Sequence, residues 1–208
     1  MNCPQCHQEV SEQSKYCPNC GQALLPTDSK NATQYTSLLE RYIPPELAKK
    51  ILTTGKTLEG ERRLVTILFA DISGYTSLSE RLDAETVSTV LNDCFKGLIS
   101  IIYKYEGVID KFIGDEIMAI FGAPIAHEND AERAVRCATE MMEYMKRFNA
   151  LSPVSLPEPL GLHIGMNTGI VVAGNVGSDL RMNYSVIGDT VNLASRLKQK
   201  ATTGEIIM

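Results

Sequence analysis

The sequence predicts an α+β fold with a βαββαβ core for the larger part of the chain. After Glu61 the patterns follow the order strand, helices, two strands, helix and strands, which is the order of that core. Hydrophobic residues make up 44% of the 208 residues, enough for one sizeable globular domain with additional segments. We therefore expect a ferredoxin-like domain over residues 61–208, preceded by smaller units.

The first half of this domain has a separate signal for each element. The apolar segment RRLVTILFA predicts the first strand. Apolar residues at helical spacing predict a helix from Thr76 to about Tyr105, with a break near Leu82 and Asp83. The helix ends at Gly107. The segments GVIDKF and IMAIFG then predict two short strands on either side of a tight IGDE turn.

The second half continues the alternation of helix and strand. The segment DAERAVRCATEMMEYMKRF predicts an amphipathic helix capped by Asn129 or Asp130, and a proline-rich loop follows it. The segments LGLHIGMNTG and IVVAGNV predict two strands, and YSVIG predicts another. DTVNLASRLKQKA predicts a helix, and GEIIM begins a last strand.

Four cysteines crowd the first twenty residues, and we assign residues 1–25 to a zinc ribbon. Two C-x-x-C knuckles can bring four thiolates to one centre, with the tetrahedral geometry that zinc prefers. So short a segment cannot bury a core, so the metal must supply the folding energy at a closed, structural site. Two disulfides are the alternative, which a cytoplasmic chain disfavours. The predicted ligands are Cys3, Cys6, Cys17 and Cys20, and His7 is expected to be exposed and not a ligand.

Residues 26–60 form a polar connector in which the sequence predicts one short helix. The segment LPTDSKNATQ is typical of a loop, and YIPPELAKKIL predicts a helix that begins at Pro44 and Pro45. We interpret this helix as a spacer before the large domain.

Charge and hydropathy exclude several classes of function. The chain has 25 acidic and 20 basic side chains and a net charge of −5, which does not indicate a basic nucleic-acid-binding surface. No apolar run reaches the roughly 18 residues that cross a bilayer, and the N-terminus lacks the apolar region of a signal peptide. We therefore expect a soluble, cytoplasmic protein that neither binds nucleic acid nor inserts into a membrane.

Two aspartates stand where the predicted sheet would bring them together. Asp71 ends the first strand, and Asp115 lies in the turn of the following hairpin. Two carboxylates at one end of a sheet repel each other unless divalent cations lie between them, and two Mg²⁺ ions would suit phosphoryl chemistry. Alternatively, Asp71 caps the next helix and Asp115 is an ordinary turn residue.

Three long blocks carry a family resemblance over about residues 59–208. The segments ERRLVTILFADISGYTSLSE, KFIGDEIMAIFG and YSVIGDTVNLASRL resemble the signature blocks of class III nucleotidyl cyclases. The resemblance implies a phosphorus–oxygen lyase that converts a nucleoside triphosphate into a 3′,5′-cyclic nucleotide and pyrophosphate. It also implies two Mg²⁺ or Mn²⁺ ions in each active site.

The resemblance assigns catalytic roles to residues of this chain. It implies that Asp71, Asp115 and the carbonyl of Ile72 bind the two metal ions. Asn192 would orient the ribose, and Arg196 would meet the charge that grows on the α-phosphate. Their spacing of four residues places both on one face of a helix.

Substrate binding is implied at five further positions. The backbone amides near Gly74, Tyr75 and Thr76 would hold the terminal phosphates. Lys111 matches the residue that reads adenine N1, and Ser185 matches the one that faces the adenine amino group, where Asp or Thr is usual. A lysine donates to N1 of adenine, whereas guanine presents a donor there. We therefore predict ATP as the substrate and cyclic AMP as the product, with a guanylate cyclase as the alternative.

Members of this family work as head-to-tail dimers in which two subunits share each site. The resemblance implies that one subunit supplies the metal ligands. The other supplies Lys111, Ser185, Asn192 and Arg196. Because this chain carries both sets, we expect a homodimer with two sites.

The resemblance also predicts that the domain is C-terminally truncated. Family domains continue past the position of Met208 with a helix, strands and a lysine that holds the terminal phosphates. Lys198 and Lys200 do not match that lysine. A competing hypothesis is therefore an inactive nucleotide-binding or dimerisation module whose zinc ribbon mediates interactions. A nucleic-acid-binding ribbon is a third, which the acidic balance disfavours.

Four other residues of chemical interest are expected to be structural. His127 lies in a polar loop before a helix, and His163 alternates with apolar residues on a strand. Cys94 and Cys137 lie inside helical patterns and are expected in the core.

Overall fold

The structure, a computed structural model, describes residues 3, 5–9, 11, 17–20, 60–152, 154, 156, 158–178 and 181–208. The chain divides into two units, Met1–Ala48 and Lys49–Met208. The connector predicted over residues 26–60, with its short helix, lies outside the described residues except for Gly60. No helix in the described ranges is both long and apolar enough to cross a bilayer.

The larger unit alternates strands and helices in the predicted order. Its elements are β1 (Glu61–Ser73), α1 (Tyr75–Arg81), α2 (Ala84–Lys104), β2 (Val108–Ile113), β3 (Glu116–Phe121), α3 (Asp130–Leu151), β4 (Gly161–Ser178), β5 (Arg181–Ile187), α4 (Asp189–Lys200) and β6 (Ile206–Ile207). The βαββαβ core is thereby confirmed, and β5, α4 and β6 follow it.

Local capping explains where the long helices begin. The carboxylate of Asp83 accepts a hydrogen bond from the backbone amide of Thr86 at 2.8 Å, so α2 starts anew after the predicted break. Asn129 occupies the N-cap position of α3 without a side-chain capping bond. Asp130 instead accepts from the backbone amide of His127 at 2.7 Å, which fixes the turn that leads into the helix.

The strands form a sheet in the order β2-β3-β1-β4-β5. β1 is antiparallel to β3 on one side and to β4 on the other, so Asp71 is paired with both Glu116 and His163. β6 adds a short parallel pairing to β4 at Ile164 and Gly165. The residue singled out in the sequence is thus held in the middle of the sheet.

Two details of the strands differ from the sequence prediction. The segments LGLHIGMNTG and IVVAGNV form one strand, β4, rather than two. Gly169 does not interrupt it, because it pairs with Val65 and a Cβ there would lie 2.5 Å from Thr190 Oγ1; the glycine marks a close approach of α4. β1 does not end at Asp71 but continues to Ser73, because β4 pairs with it that far.

The sheet separates two layers of the core. Leu68 and Ala70 belong to the layer packed against α2 and α3. Ile67 and Phe69 belong to the opposite layer, to which α4 contributes Ala194. Because side chains alternate along a strand, Asp71 lies on the α4 side.

Candidate functional site

An acidic cluster lies at one end of the sheet, on the face that α4 covers. Asp71 on β1 pairs with Glu116 on β3 and with His163 on β4. These three side chains share a face, because directly paired residues of neighbouring strands point to the same side. Asp115 is in the turn between β2 and β3, beside a Gly114 with φ +66°. It is near enough for the charge of Asp71 to affect its pKa.

Lys198 enters this cluster from α4. Its Nζ donates a hydrogen bond to Asp71 Oδ2 at 2.9 Å and lies 3.3 Å from Glu116 Oε2. The residue is only 8% exposed. Gly165 allows this approach, because a Cβ there would lie 2.5 Å from both Ala194 O and Lys198 Cα. The helix backbone therefore rests directly on the sheet and directs the lysine toward the carboxylates.

His163 is the fourth side chain at Asp71. Its Nε2 lies 3.4 Å from Asp71 Oδ2, and its Nδ1 lies 3.0 Å from Ser73 Oγ. The sequence reasoning expected only a structural role for this histidine. Its alternation with apolar neighbours indicates a strand. Its place beside Asp71 could be predicted only with knowledge of the register of β4 against β1.

Burial and like charge raise the pKa of the carboxyl groups around Asp71. At Asp115 burial is the main cause, and the charge of Asp71 adds to it. Burial also raises the pKa of Glu116, and the positive charge of Lys198 offsets part of this. At Lys198 burial acts to lower the pKa, but the hydrogen bond and charge of Asp71, with the charge of Glu116, outweigh it and the pKa is raised. The cluster therefore contains one protonated lysine and three carboxyl groups.

The donor set of this cluster suits a hard divalent cation. Mg²⁺ and Mn²⁺ take carboxylate and carbonyl oxygens, and Asp71, Asp115 and Glu116 supply carboxylates at one end of the sheet. Oε1 of Glu116 is buried without a hydrogen-bond partner among the described residues, and such an oxygen calls for an ion or a donor. Among the described residues only the four N-terminal cysteines bring three or more ligand atoms within 4.8 Å of one another. The carboxylates would therefore have to come closer together to share an ion, and the Lys198 ammonium lies between Asp71 and Glu116.

The segment after Asp71 leads directly into a helix. Ile72 is buried in β1. Gly74 has φ +91° and is the N-cap residue of α1, so Tyr75 and Thr76 are the first helical residues. The alternative that Asp71 caps this helix is therefore wrong, because the cap lies three residues later.

Two residues predicted for the opposite half of a site do not face the acidic cluster. Asn192 and Arg196 are exposed residues of α4. Lys198 is two positions beyond Arg196, which on an α-helix is a rotation of about 200°. Since Lys198 points to the sheet, Arg196 faces away from it.

Ser185 is far from Asp71 within one subunit. It pairs with Gly174 on β4, whereas Asp71 pairs with His163 of the same strand. The eleven positions between 163 and 174 correspond to about 36 Å along a strand. One nucleotide cannot contact both residues of the same chain across that length.

Lys111 lies on β2 beside an aspartate that the sequence reasoning missed. The register of β2 shifts between Ile109 and Lys111, so Asp110 forms a bulge. The Asp110 side chain is 1% exposed, and its Oδ2 lies 3.0 Å from Lys111 Nζ. Lys111 pairs with Met118, which in turn pairs with Phe69. This places Lys111 on the face of Asp71, two strands away.

The four N-terminal cysteines form a second candidate metal site. Their Sγ atoms all lie within 4.8 Å of one another, and none of the four is in a disulfide bond. A hydrogen bond from the backbone of Gln8 is the main cause that lowers the pKa of Cys6 to about 6, which favours the thiolate that zinc requires. His7 is exposed and outside the cluster, as predicted.

The remaining titratable residues of interest have structural surroundings. Burial raises the pKa of the Cys94 and Cys137 thiols to about 12, which confirms their place in the core. His127 lies between two carboxylates, with Nε2 2.8 Å from Glu106 Oε2 and Nδ1 3.1 Å from Asp130 Oδ1. Its contacts tie the start of α3 to the end of α2.

A mixed sheet of this topology with helices on both faces matches the class III cyclase core. The model of the adenylate and guanylate cyclase catalytic domain matches residues 59–208, and the chain belongs to this family. A zinc-ribbon model matches residues 2–24, in agreement with the cysteine cluster.

Among known relatives, Adenylate cyclase 1 of Rhizobium meliloti is 37% identical over 160 residues, which cover 76% of this chain and 24% of that protein. The chain thus spans about a quarter of the length of this curated relative and about a third of another, the 35% identical adenylate cyclase of Anabaena cylindrica, of which 32% is covered.

Solved structures of both substrate classes resemble the domain. The adenylyl cyclase CyaB from P. aeruginosa is 41% identical with a TM-score of 0.67, over 72% of this chain and 78% of that one. The guanylyl cyclase Cya2 is 44% identical with a TM-score of 0.66, over 71% and 75%.

Proposed function

We propose that the protein is an adenylate cyclase that converts ATP into 3′,5′-cyclic AMP and pyrophosphate in cytoplasmic signalling. The observation that carries this proposal is the carboxylate cluster of Asp71, Asp115 and Glu116 in a domain of the cyclase family. The lack of a disulfide bond among the six cysteines agrees with a reducing compartment.

We place two Mg²⁺ or Mn²⁺ ions at Asp71, Asp115 and the carbonyl of Ile72. Bound divalent ions would activate the ribose 3′-hydroxyl and neutralise phosphate charge. The chain contributes position, since β1 fixes Asp71 between two strands and the β2–β3 turn brings Asp115 to the same end. The amides around Tyr75 and Thr76 would hold the terminal phosphates.

The reaction is an attack of the ribose 3′-oxygen on the α-phosphorus, with pyrophosphate leaving in line. Asn192 orients the ribose, and Arg196 meets the negative charge that develops on the α-phosphate. Both side chains are exposed on α4, as side chains that serve a substrate between two molecules must be.

The separation of these residues within one subunit supports a head-to-tail homodimer. Because Ser185 lies about 36 Å along β4 from the register position of Asp71, the two halves of a site would come from different chains. An exposed apolar patch on the sheet supports an interface. Its members are Leu64, Ile170, Val172 and Ile187, which are neighbours in register across β1, β4 and β5.

Base selection is assigned to Lys111 and Ser185. The Lys111 ammonium donates to N1 of adenine, and the Ser185 hydroxyl accepts from the adenine amino group. Two relatives, one from Rhizobium meliloti and one from Anabaena cylindrica, are adenylate cyclases, which favours ATP. A guanylate cyclase is the second candidate, because the guanylyl cyclase Cya2 is 44% identical.

The ribbon is proposed to hold one structural Zn²⁺ at Cys3, Cys6, Cys17 and Cys20. Four sulfurs within 4.8 Å of one another complete a tetrahedral shell without an open position. Elemental analysis of the purified protein should find one zinc per chain.

Incubation of the purified chain with ATP or GTP and either Mg²⁺ or Mn²⁺, with product detection by mass spectrometry, tests the enzyme directly. Cyclic AMP should form, and Asp71→Asn should reduce its rate at least about a hundredfold because the residue is a proposed metal ligand. Asp93→Asn, at an exposed position of α2, is the matched control. Faster formation of cyclic GMP would favour the guanylate cyclase, and bound ATP without product would favour the inactive module.

A further inference from the structure

Lys198 contacts one oxygen of the carboxylate that is the proposed metal ligand. Its Nζ is 2.9 Å from Asp71 Oδ2 and 3.3 Å from Glu116 Oε2, and its side chain is 10% exposed. The helix cannot withdraw it easily, because α4 rests on Gly165 with no room for a side chain between them. The fold therefore fixes the helix from which the lysine extends, and the ammonium lies in a largely buried position between the two carboxylates.

The register of the sheet explains why a cation is needed there. Asp71 and Glu116 are direct cross-strand partners, and like charges directly opposite each other destabilise a sheet. Burial of unpaired charge costs further free energy. Lys198 removes both penalties by bridging the two carboxylates, so the free protein can fold without a divalent ion at this position.

A divalent ion that binds Asp71 Oδ2 must approach this oxygen to about 2.0–2.6 Å. Lys198 already contacts the same oxygen. Two cations on one oxygen repel each other strongly in a half-buried site. Glu116 offers the lysine an alternative, because its Oε2 is 3.3 Å away and its Oε1 is buried without a hydrogen-bond partner in the described part of the chain. The Lys198 ammonium can thus lose its contact with Asp71 and keep its contact with Glu116.

We propose that Lys198 is a tethered cation that competes with the divalent metal for Asp71 and sets a low metal affinity in the nucleotide-free protein. Glu116 retains the lysine when the metal binds. This inference rests on the proposed function, because that function supplies the divalent ion. It identifies Lys198 as a residue that determines metal affinity without being a metal ligand itself.

The test is a Mn²⁺ titration of the zinc-loaded protein without nucleotide, in which electron paramagnetic resonance measures free Mn²⁺. Lys198→Met should tighten Mn²⁺ binding by at least about tenfold, because one competing positive charge is removed. Lys198→Arg should keep the weak affinity of the parent. Lys200→Met is the matched control, since it removes the same charge from an exposed position of the same helix.

A further variant locates the effect. Adding Asp71→Asn to Lys198→Met should abolish the gain in Mn²⁺ affinity. If Lys198→Met fails to fold by circular dichroism, Lys198→Gln replaces it, because a polar side chain can still bridge the carboxylates as a donor.

The inference is overturned if Lys198→Met or Lys198→Gln binds Mn²⁺ no more tightly than Lys200→Met. It is equally overturned if none of the proteins binds Mn²⁺, since no ion then competes with the lysine. Product formation from ATP judges the proposed function separately. An active enzyme with unchanged metal affinity would overturn this inference alone, and an inactive protein with the tenfold gain would leave it standing.

Discussion

Gly165 is the residue on which the geometry of the candidate site depends most directly. A methyl group at this position would lie 2.5 Å from Ala194 O and Lys198 Cα, and closer still to the backbone nitrogen of Lys198. These are backbone atoms of α4, so no side-chain rotation can relieve the overlap. Gly165→Ala must push the helix away from the sheet and carry Lys198 away from Asp71.

The magnitude follows from the kind of overlap. Added methyl groups in a filled core cost about 1–3 kcal/mol, and we expect the upper end, about 3 kcal/mol, because the colliding atoms are backbone. For a domain of this size the midpoint of thermal unfolding should fall by about 6–12 °C. Mn²⁺ affinity should change as well, because the Lys198 ammonium no longer reaches Asp71 in its present geometry.

Thermal unfolding, monitored by circular dichroism, measures the loss of stability, and Gly161→Ala provides the control. A Cβ at Gly161 on the same strand would overlap with Cγ2 of the exposed Thr203 side chain, which can rotate away, and would otherwise make ordinary contacts at 3.4 Å or more. We expect a cost within about 0.5 kcal/mol for that variant. Equal stability of the two variants would refute the claim that close backbone contact at Gly165 positions α4.

Three further predictions concern activity and the ribbon. Lys111→Glu should abolish formation of cyclic AMP, because a carboxylate cannot donate to adenine N1; full activity in a mass-spectrometric assay would contradict the base assignment. Asp71→Ala and Arg196→Ala should each be inactive alone, and mixing them should restore part of the activity if two chains share a site; absence of any rescue would argue against shared sites. Removal of zinc by a chelator should unfold the ribbon and open its four thiols to iodoacetamide, whereas the buried thiols of Cys94 and Cys137 should stay unmodified; ribbon thiols that stay protected without zinc would contradict a metal-dependent fold. Because the folded ribbon lowers the pKa of Cys6 to about 6, the stabilisation that its thiolate contributes is lost as the pH falls through about 6, and zinc should be released in that range.

Elements with local signals could be predicted from the sequence. The break between α1 and α2 depends on one side chain and one amide three residues apart, Asp83 and Thr86. The hairpin of β2 and β3 depends on a Gly114 turn within a few residues. The cluster of four cysteines could be predicted from their spacing alone, because the tetrahedral geometry of a zinc site limits the spacings that its ligands can have. In each case the residues that determine the structure are close together in the chain.

What could not be predicted depends on register between distant segments. Lys198 and Asp71 are 127 positions apart, and their contact exists only because α4 crosses β4 at Gly165. No local pattern around Lys198 indicates this contact. The burial of Asp110 likewise depends on a bulge, and no local pattern marks an extra residue in a strand. A glycine such as Gly169 is ambiguous for the same reason, since a strand end and a close helix approach both favour it.

Helix α4 links these observations, because its two sides would serve two different sites of the proposed dimer. Lys198 faces inward and contacts Asp71 of its own chain. Arg196 and Asn192 face outward, toward the site that the partner's metal ligands would form. A rotation or lift of the helix by any cause would therefore move the proposed competing cation at one site and the two proposed catalytic side chains at the other. The two sites of such a dimer cannot be adjusted independently, and variants at Gly165 should affect metal affinity and catalytic rate together.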